Sequence, residues 1–346
     1  MNPLFRILDA NINRAAEALR VIEEHFRFGK EDSALTTKLK KYRHELRGMF
    51  SPWNRELLAA RDSARDPGRD ARSGREIPRV GSSDVRTANF KRLEEALRVL
   101  EEYAKPLPAS PAVRISALRF AVYTIEKTAA AAELRARLAA ARLYLVATPG
   151  ATAGRPFLES VETALRAGVD IVQFRPESGS DNAWLATARR IRRLADRHHA
   201  IFIMNNRPDL AQISGADGVH LGQDDLSLRA ARGILGPDKI IGRSTHNLNQ
   251  ALRAAKEGAD YIGFGPIFKT LTKPGRPAIG MDSIAAVHRR VSIPIFVIGG
   301  ITAANLAPLV RAGARRAAVI RGILQAPDIA AAVRAFRHTL HEKILR

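Results

Sequence analysis

The chain has 346 residues, no cysteine, 46% hydrophobic residues and a formal net charge of +21. The missing thiols exclude disulfides and thiolate chemistry, no run of 18 apolar residues marks a membrane span, and the length suits one large or two medium domains. The positive charge invites a nucleic-acid reading, but it is mostly Arg spread along helices, as in Arg189-Arg190-Ile-Arg192-Arg193, with few aromatic residues (6%) beside it.

The N-terminus, Met1-Asn-Pro-Leu-Phe-Arg-Ile-Leu-Asp9, has no signal-peptide pattern, so a cytoplasmic location is expected. Residues 1–135 are expected to form an all-α domain. Glu17-Ala-Leu-Arg-Val-Ile-Glu-Glu24 places apolar residues at 18, 19, 21 and 22, a helical period. The pattern returns 78 residues later. Residues 10–24 and 88–102 share ten of fifteen identities: Ala10/Ala88, Asn11/Asn89, Arg14/Arg92, Glu17/Glu95, Ala18/Ala96, Leu19/Leu97, Arg20/Arg98, Val21/Val99, Glu23/Glu101 and Glu24/Glu102. An internal duplication follows, with a pseudo-two-fold helical bundle as its expected form. Asn11 and Asn89 suit N-caps, and Arg14/Glu17 and Arg92/Glu95 have the spacing of i,i+3 ion pairs. Helix mechanics accounts for most of the motif; a paired Arg/Glu site or an interface built from both copies stays open.

Arg61 to Arg79 is rich in Gly, Pro and alternating charge and is expected to be a flexible loop. Lys105-Pro-Leu-Pro-Ala-Ser-Pro111 breaks the chain again. A helix from about Ala112 to Arg142 then leads into the second domain, 136–346.

From Leu143 short apolar runs alternate with amphipathic segments. Eight strands are expected: Leu143–Ala147, Ile171–Phe174, Ile201–Met204, Gly218–Leu221, Ile240–Gly242, Tyr261–Phe268, Ile293–Ile298 and Arg316–Ile320. Eight βα units in this length favour an α/β fold, a closed (β/α)8 TIM barrel, over a doubly wound sheet. In such a barrel the residues after each strand converge on one mouth. Strand two ends in Gln173 and Arg175, then Glu177. Strand three ends in Asn205 and Asn206. Gly222-Gln223-Asp224-Asp225 follows strand four, and one of the two aspartates is expected to cap a helix beginning near Leu226. Strand five ends in Ser244-Thr245-His246, where the histidine suits a hydrogen-bonded loop position better than a base. Strand six leads to Thr270, Thr272 and Lys273, two hydroxyls and an ammonium that suit a phosphate or pyrophosphate. Strand seven ends in Gly299-Gly300, whose amides can cradle a phosphate. Strand eight ends in Ile320-Arg321. Oxygen-bearing groups at strands three and four suit Mg²⁺.

Gly215-Ala-Asp-Gly-Val-His-Leu-Gly-Gln-Asp-Asp225, Ile241-Gly-Arg-Ser-Thr-His246, Ala259-Asp-Tyr-Ile-Gly-Phe-Gly-Pro-Ile-Phe268 with Thr270-x-Thr272-Lys273, and Ile298-Gly-Gly-Ile301 together resemble the thiamine-phosphate synthase family. The N-terminal part resembles an extension fused to this synthase in some bacteria and sometimes associated with pyrimidine-phosphate kinase activity; it carries no Walker-type phosphate loop. The resemblance implies condensation of hydroxymethylpyrimidine pyrophosphate with thiazole phosphate, with pyrophosphate lost first and the thiazole nitrogen attacking. It implies Gln173, Arg175, Asn205, Ser244 and Lys273 on the pyrimidine pyrophosphate, with Lys273, Ser244 and Arg175 in catalytic roles and Glu177 in the place of a substrate-binding residue. It implies Asn206 and Asp225 at the Mg²⁺ position, and Thr270, Thr272, Gly300, Ile320 and Arg321 on the thiazole phosphate.

Three positions depart from the family pattern. Gln173-Phe-Arg-Pro-Glu177 ends in an anion where a cation is usual. Asn206 replaces an aspartate, and Arg321 replaces a serine. A thiazole tautomerase-like enzyme and a non-catalytic barrel that binds thiamine precursors are the other readings. The expected partners are small phosphorylated pyrimidine and thiazole substrates, with no specific nucleic acid and no membrane; a homo-oligomer is compatible with the sequence.

Overall fold

A computed structural model of the chain describes residues 2–62, 64–66, 79, 81–270 and 277–341. The chain divides into two units, Met1–Ala130 and Ala131–Arg346. Most of the loop expected between Arg61 and Arg79 lies outside the described residues.

The first unit is helical: α1 (Pro3–Glu24), α2 (Ser33–Met49), α3 (Asn54–Ala59), α4 (Ser82–Tyr103) and the start of α5 (Ala112–Ala140), with a π-turn at His25–Gly29. Its core is the apolar stripe that the repeat predicts: Leu8, Leu19 and Ile22 of α1 and Leu93, Leu97 and Leu100 of α4 are fully buried. The expected caps are a correction. Helix α1 starts at Pro3, with Asn2 Oδ1 accepting from the Leu4 amide at 3.0 Å, and α4 starts at Ser82. Asn11 and Asn89 therefore sit inside their helices. Both are buried, and each donates its Nδ2 back to the carbonyl four residues earlier, Ile7 at 2.9 Å and Val85 at 2.8 Å. That local bond is how a buried asparagine satisfies itself in a helix.

The expected ion pairs are also corrected. Arg14, Glu17, Arg92 and Glu95 are exposed, and neither pair closes. The motif's other Arg-x-x-Glu does. Glu23 accepts from Arg20 at 3.2 Å and from Arg43 of α2 at 3.1 Å. Glu101 accepts from Arg98 at 3.2 Å and from Arg119 of α5 at 2.8 Å. Each copy thus uses one largely buried carboxylate to hold its own helix and the next, so the duplication extends to helix pairs. Burial alone would raise the Glu101 pKa, but the Arg119 and Arg98 cations outweigh it and hold the carboxyl below its ordinary value.

In the second unit the described residues form a closed parallel barrel in sequence order, β1 (Leu143–Ala147), β2 (Ile171–Phe174), β3 (Ile201–Asn205), β4 (Gly218–Leu221), β5 (Ile240–Thr245), β6 (Tyr261–Phe264), β7 (Ile295–Ile298) and β8 (Ala317–Val319), with β8 pairing back to β1. Helices α6 (Phe157–Arg166), α7 (Asp181–Arg197), α8 (Pro208–Ser214), α9 (Leu228–Leu235), α10 (Leu248–Lys256), α11 (Asp282–Arg290), α12 (Ala303–Arg311), α13 (Arg321–Leu324) and α14 (Ile329–His341) follow the strands. Continuous apolar runs suit strands covered on both faces. Strand β6 is shorter than expected, because Pro266 has no N–H to offer a ladder; the chain beyond it still leans on β7, with Ile267 and Phe268 donating to the Ile298 and Gly299 carbonyls at 2.8 and 3.1 Å. Strand β5 runs three residues further than expected, which places Ser244 on the ladder opposite Gly263.

The barrel floor is built on a repeated device. In Gly168-Val-Asp170, Gly215-Ala-Asp217 and Gly258-Ala-Asp260, the aspartate precedes an even-numbered strand. Its Oδ2 accepts from the backbone at the start of the preceding strand: Leu143 (2.9 Å), Phe202 (2.8 Å) and Ile241 (2.8 Å) respectively. The fourth instance, Gly313-Ala-Arg-Arg316, replaces the anion with cations. There Arg316 donates to the carbonyls of Ala141 (3.0 Å) and Ala139 (2.6 Å) at the end of α5. Burial, with Arg142 and Arg315 nearby, lowers its pKa to about 10.

Candidate active site

The mouth at the C-terminal ends of the strands holds a cavity of about 310 Å³. Of the residues singled out in the sequence, Gln173, Arg175, Asn205, Ser244, Thr270, Gly300, Ile320 and Arg321 line it. Thr272 and Lys273 lie outside the described residues. Glu177, Asn206 and Asp225 are not among the lining residues. Glu177 folds over the turn at Pro149–Ala151, near enough that a Cβ on Gly150 would sit 2.8 Å from its Oε2. Asn206 is exposed and left-handed (φ 61°).

Three cations face the cavity without an acidic partner among the described residues: Arg175 after β2, Lys269 after β6 and Arg321 after β8. Other arginines of the barrel are matched, among them Arg207 with Asp181 (2.7 Å) and Asp209 (2.6 Å), Arg192 with Asp217 (2.8 Å) and Arg232 with Asp260 (2.7 Å). Beside Lys269 and Arg321 the backbone turns at Gly299 and Gly300 with φ of 106° and 63°. A Cβ on Gly299 would lie 2.5 Å from Pro266, and one on Gly300 would lie 2.8 Å from the Lys269 carbonyl. Glycine is required there by conformation and by space. Asn305 pins the turn by donating to the Gly300 carbonyl at 2.9 Å. A cationic corner with exposed turn amides is suited to a phosphate.

The floor of the cavity carries a continuous run of side-chain hydrogen bonds. Ser244 Oγ meets His220 Nε2 at 2.9 Å, and His220 Nδ1 meets the Tyr261 hydroxyl at 3.0 Å. The Tyr261 and Tyr144 hydroxyls are 2.8 Å apart. Tyr144 donates to Gln173 Oε1 at 3.2 Å, and Gln173 Nε2 donates to Asn205 Oδ1 at 2.7 Å. Sequence reasoning missed Tyr144 and Tyr261 because a tyrosine in an apolar run reads as core; the signal was Gly242. A Cβ there would fall 2.1 Å from the Tyr261 ring, so the glycine makes room for that ring inside the barrel. Lys269 was also missed, although it directly precedes Thr270.

The loop after β4 is tied to β5. Gln223 Nε2 donates to the Ser244 carbonyl at 2.5 Å, and Arg243 donates to the Leu226 and Gln223 carbonyls at 2.9 and 3.2 Å. Neither aspartate caps the following helix; α9 starts at Leu228 and is capped by Ser227. Asp225 instead accepts from the Gly222 amide at 2.5 Å through Oδ2, closing its own turn. His246 donates Nδ1 to the Gly265 carbonyl at 2.5 Å, the loop role expected for it. No group of three or more His, Asp or Glu suited to a metal occurs among the described residues, and no helix among them is long and apolar enough to cross a membrane.

Residues 143–323 match the thiamine monophosphate synthase family, and residues 6–128 match the ThiD2 family. The chain is 44% identical to a thiamine-phosphate synthase of Thermosynechococcus vestitus, covering 98% of this chain and 95% of that protein. It is 45% identical to a thiamine-phosphate synthase of Gloeobacter violaceus, covering 94% and 93%. The solved structure of a thiamine phosphate pyrophosphorylase from Pyrococcus furiosus superposes with a TM-score of 0.55 at 32% identity, covering 60% of this chain and 98% of that one. The chain belongs to the thiamine-phosphate synthase family.

Proposed function

We propose that the barrel mouth joins hydroxymethylpyrimidine pyrophosphate to thiazole phosphate and releases thiamine phosphate and pyrophosphate. The bond from the pyrimidine methylene to the pyrophosphate oxygen breaks, and its electron pair leaves with pyrophosphate. The thiazole nitrogen then donates its lone pair to the methylene carbon. The observation that carries this reading is that three cations without an acidic partner among the described residues line one cavity, Arg175 after β2, Lys269 after β6 and Arg321 after β8. Two anionic substrate ends need two such positions, and charge-assisted contacts aimed at the departing anion lower the barrier where charge develops.

In this reading Gln173, Arg175, Asn205, Ser244 and Lys273 hold the pyrimidine pyrophosphate. Thr270, Thr272, Gly300, Ile320 and Arg321 hold the thiazole phosphate. Lys269 and Arg321 supply cations at the phosphate end, which offsets the anion that Glu177 brings to the other loop. Holding both substrates in a small cavity makes the second step effectively unimolecular.

Mg²⁺ belongs to the proposal. The residues that would hold it are Asp225, with one carboxylate oxygen already bonded to Gly222, and the neutral amide of Asn206, both beside the cavity lining rather than in it. That sparse donor set fits an ion that takes most of its ligands from pyrophosphate and water. When bound, Mg²⁺ would neutralise charge on the departing pyrophosphate.

The test is thiamine phosphate formation by the full-length protein from both substrates, with Mg²⁺ and with EDTA. Product in the first mixture and none in the second is expected. No product from folded protein would overturn the reading, and turnover of the thiazole phosphate alone without metal would replace it with tautomerisation. Lys273→Ala is expected to abolish synthesis; near-wild-type activity would remove Lys273 from the pyrophosphate.

A further inference from the structure

The chain of hydrogen bonds beneath the cavity has a direction, and the direction decides what the cavity wall presents. Tyr144 donates to Gln173 Oε1. Its only proton is then used, so the 2.8 Å contact between the two phenols must be donation from Tyr261 to Tyr144. The Tyr261 proton is used in turn, so at 3.0 Å the His220 Nδ1 must be the donor to Tyr261. A neutral imidazole protonated at Nδ1 has a lone pair at Nε2. The Ser244 hydroxyl, 2.9 Å away, therefore gives its proton to His220. At the other end, Asn205 Oδ1 is occupied by Gln173, which leaves the Asn205 amide N–H groups to donate.

We propose that Tyr144 and Tyr261 are positioning residues that hold His220 as its Nδ1–H tautomer, which keeps Ser244 Oγ as a hydrogen-bond acceptor toward the bound aminopyrimidine. The role for the pyrimidine rests on the synthase reading; the proton order does not. With its proton committed to His220, Ser244 turns lone pairs toward the cavity on the β5 side, while Asn205 offers a donor on the β3 side. An aminopyrimidine supplies the complement, an exocyclic amine that donates and ring nitrogens that accept. An electron-rich hydroxyl oxygen also suits the positive charge that develops on the pyrimidinylmethyl group as pyrophosphate leaves.

The arrangement is built rather than incidental. Tyr144 and Tyr261 are at most 2% exposed. Burial raises the pKa of both phenols, so both keep the protons that the chain needs. Gly242 leaves the space that the Tyr261 ring fills. Reversing the Gln173 amide would reverse every bond in the chain and turn the Ser244 proton toward the cavity, where it would oppose the donating pyrimidine amine. The polarity is therefore the content of the proposal.

The experiment is ¹⁵N NMR of the imidazoles in full-length protein, with the His220 signals assigned by their loss in His220→Gln, alongside steady-state kinetics. In the wild type, His220 is expected to show a protonated Nδ1 and an unprotonated Nε2. Tyr144→Phe touches neither His220 nor Ser244, yet it frees the Tyr261 proton to turn toward His220 Nδ1. The tautomer is expected to switch to Nε2–H. The kcat for thiamine phosphate is expected to fall about tenfold, the worth of one hydrogen bond, with the KM for the pyrimidine pyrophosphate within about twofold because Arg175 still holds the pyrophosphate. Tyr261→Phe, which removes the acceptor instead, is expected to leave a mixture of tautomers and a similar loss of kcat. An Nε2–H tautomer in the wild type would overturn the proposal without any variant. A tautomer unmoved by Tyr144→Phe, or a switch that leaves kcat unchanged, would also overturn it. Absence of product from the wild type would fail the synthase reading, while the NMR still decides the proton order.

Discussion

The two units handle positive charge in opposite ways. In the helical unit, the most buried carboxylates gather arginines: Glu23 holds Arg20 and Arg43, Glu101 holds Arg98 and Arg119, and Asp9 holds Arg61 at 2.8 Å. In the barrel, Arg192, Arg207 and Arg232 are matched in the same manner, whereas at the mouth Arg175, Lys269 and Arg321 face the cavity without an acidic partner among the described residues. A matched charge, held in one geometry by a neighbour, serves architecture. An unmatched charge beside a cavity keeps its interaction energy for a ligand. A net charge of +21 says nothing about which is which; only the pairing does.

The largest effect that follows from this contrast concerns Glu23, whose side chain is 2% exposed between Arg20 and Arg43. Glu23→Ala leaves Arg43, 17% exposed, without its carboxylate, while Arg20, 44% exposed, keeps Glu24 at 2.7 Å. Leaving one part-buried cation without its partner costs about 1–3 kcal/mol, so the unfolding transition of the helical unit should fall in calorimetry. A loss under about 1 kcal/mol would mean that the pair does not organise the unit. Arg175→Ala should do the reverse. It removes an unmatched cation, so the unfolding midpoint should hold while kcat/KM falls roughly 10–100-fold, the worth of a charge-assisted contact of about 1.5–3 kcal/mol. Lost stability with unchanged kinetics would move Arg175 from the ligand side of the comparison to the structural side. Gly242→Ala stands between the two, since its methyl group would meet the Tyr261 ring. Overpacking of this kind costs about 1–3 kcal/mol, and displacement of Tyr261 should lower kcat as well.

The same contrast explains what was readable in the sequence. Strands Leu143–Ala147, Ile171–Phe174 and Gly218–Leu221 were expected with the bounds observed, because a buried parallel strand is a short apolar run between turn signals and needs nothing else. The residues at strand ends were readable because barrel closure gathers them whatever their partners are. Pairing was not readable. Asn11 and Asn89 were expected as caps, since nothing local shows that the helices begin seven or more residues earlier. Arg14/Glu17 has the same spacing as Arg20/Glu23, and only the second carboxylate meets an arginine from another helix. The tyrosines beneath the cavity were invisible for the same reason: Tyr144 and Tyr261 are 117 residues apart, and their bond exists only once the barrel closes.

The smallest effect is the most selective test of the pairing argument, because it needs no loss of fold. Arg119 and Arg98 hold the Glu101 carboxyl below its ordinary value of about 4.5 against the opposing effect of burial. A carboxyl with a depressed folded-state pKa binds fewer protons folded than unfolded in the window between the two values. It therefore adds stability that is fully present above about pH 4.5 and is lost as the pH falls through the folded value. Glu101→Gln keeps the shape and removes the titration. Its stability, followed by chemical denaturation from pH 7 downward, should lie below the wild type near neutrality and converge on it in acid. Parallel curves would show that Glu101 carries no charge-dependent share of the fold. The second copy of the motif would then differ from the first in more than exposure, since Arg119 would be held by its own helix, where its guanidinium lies 4.8 and 5.5 Å from the ring centres of Phe120 and Tyr123, and apolar packing alone would join α4 to α5.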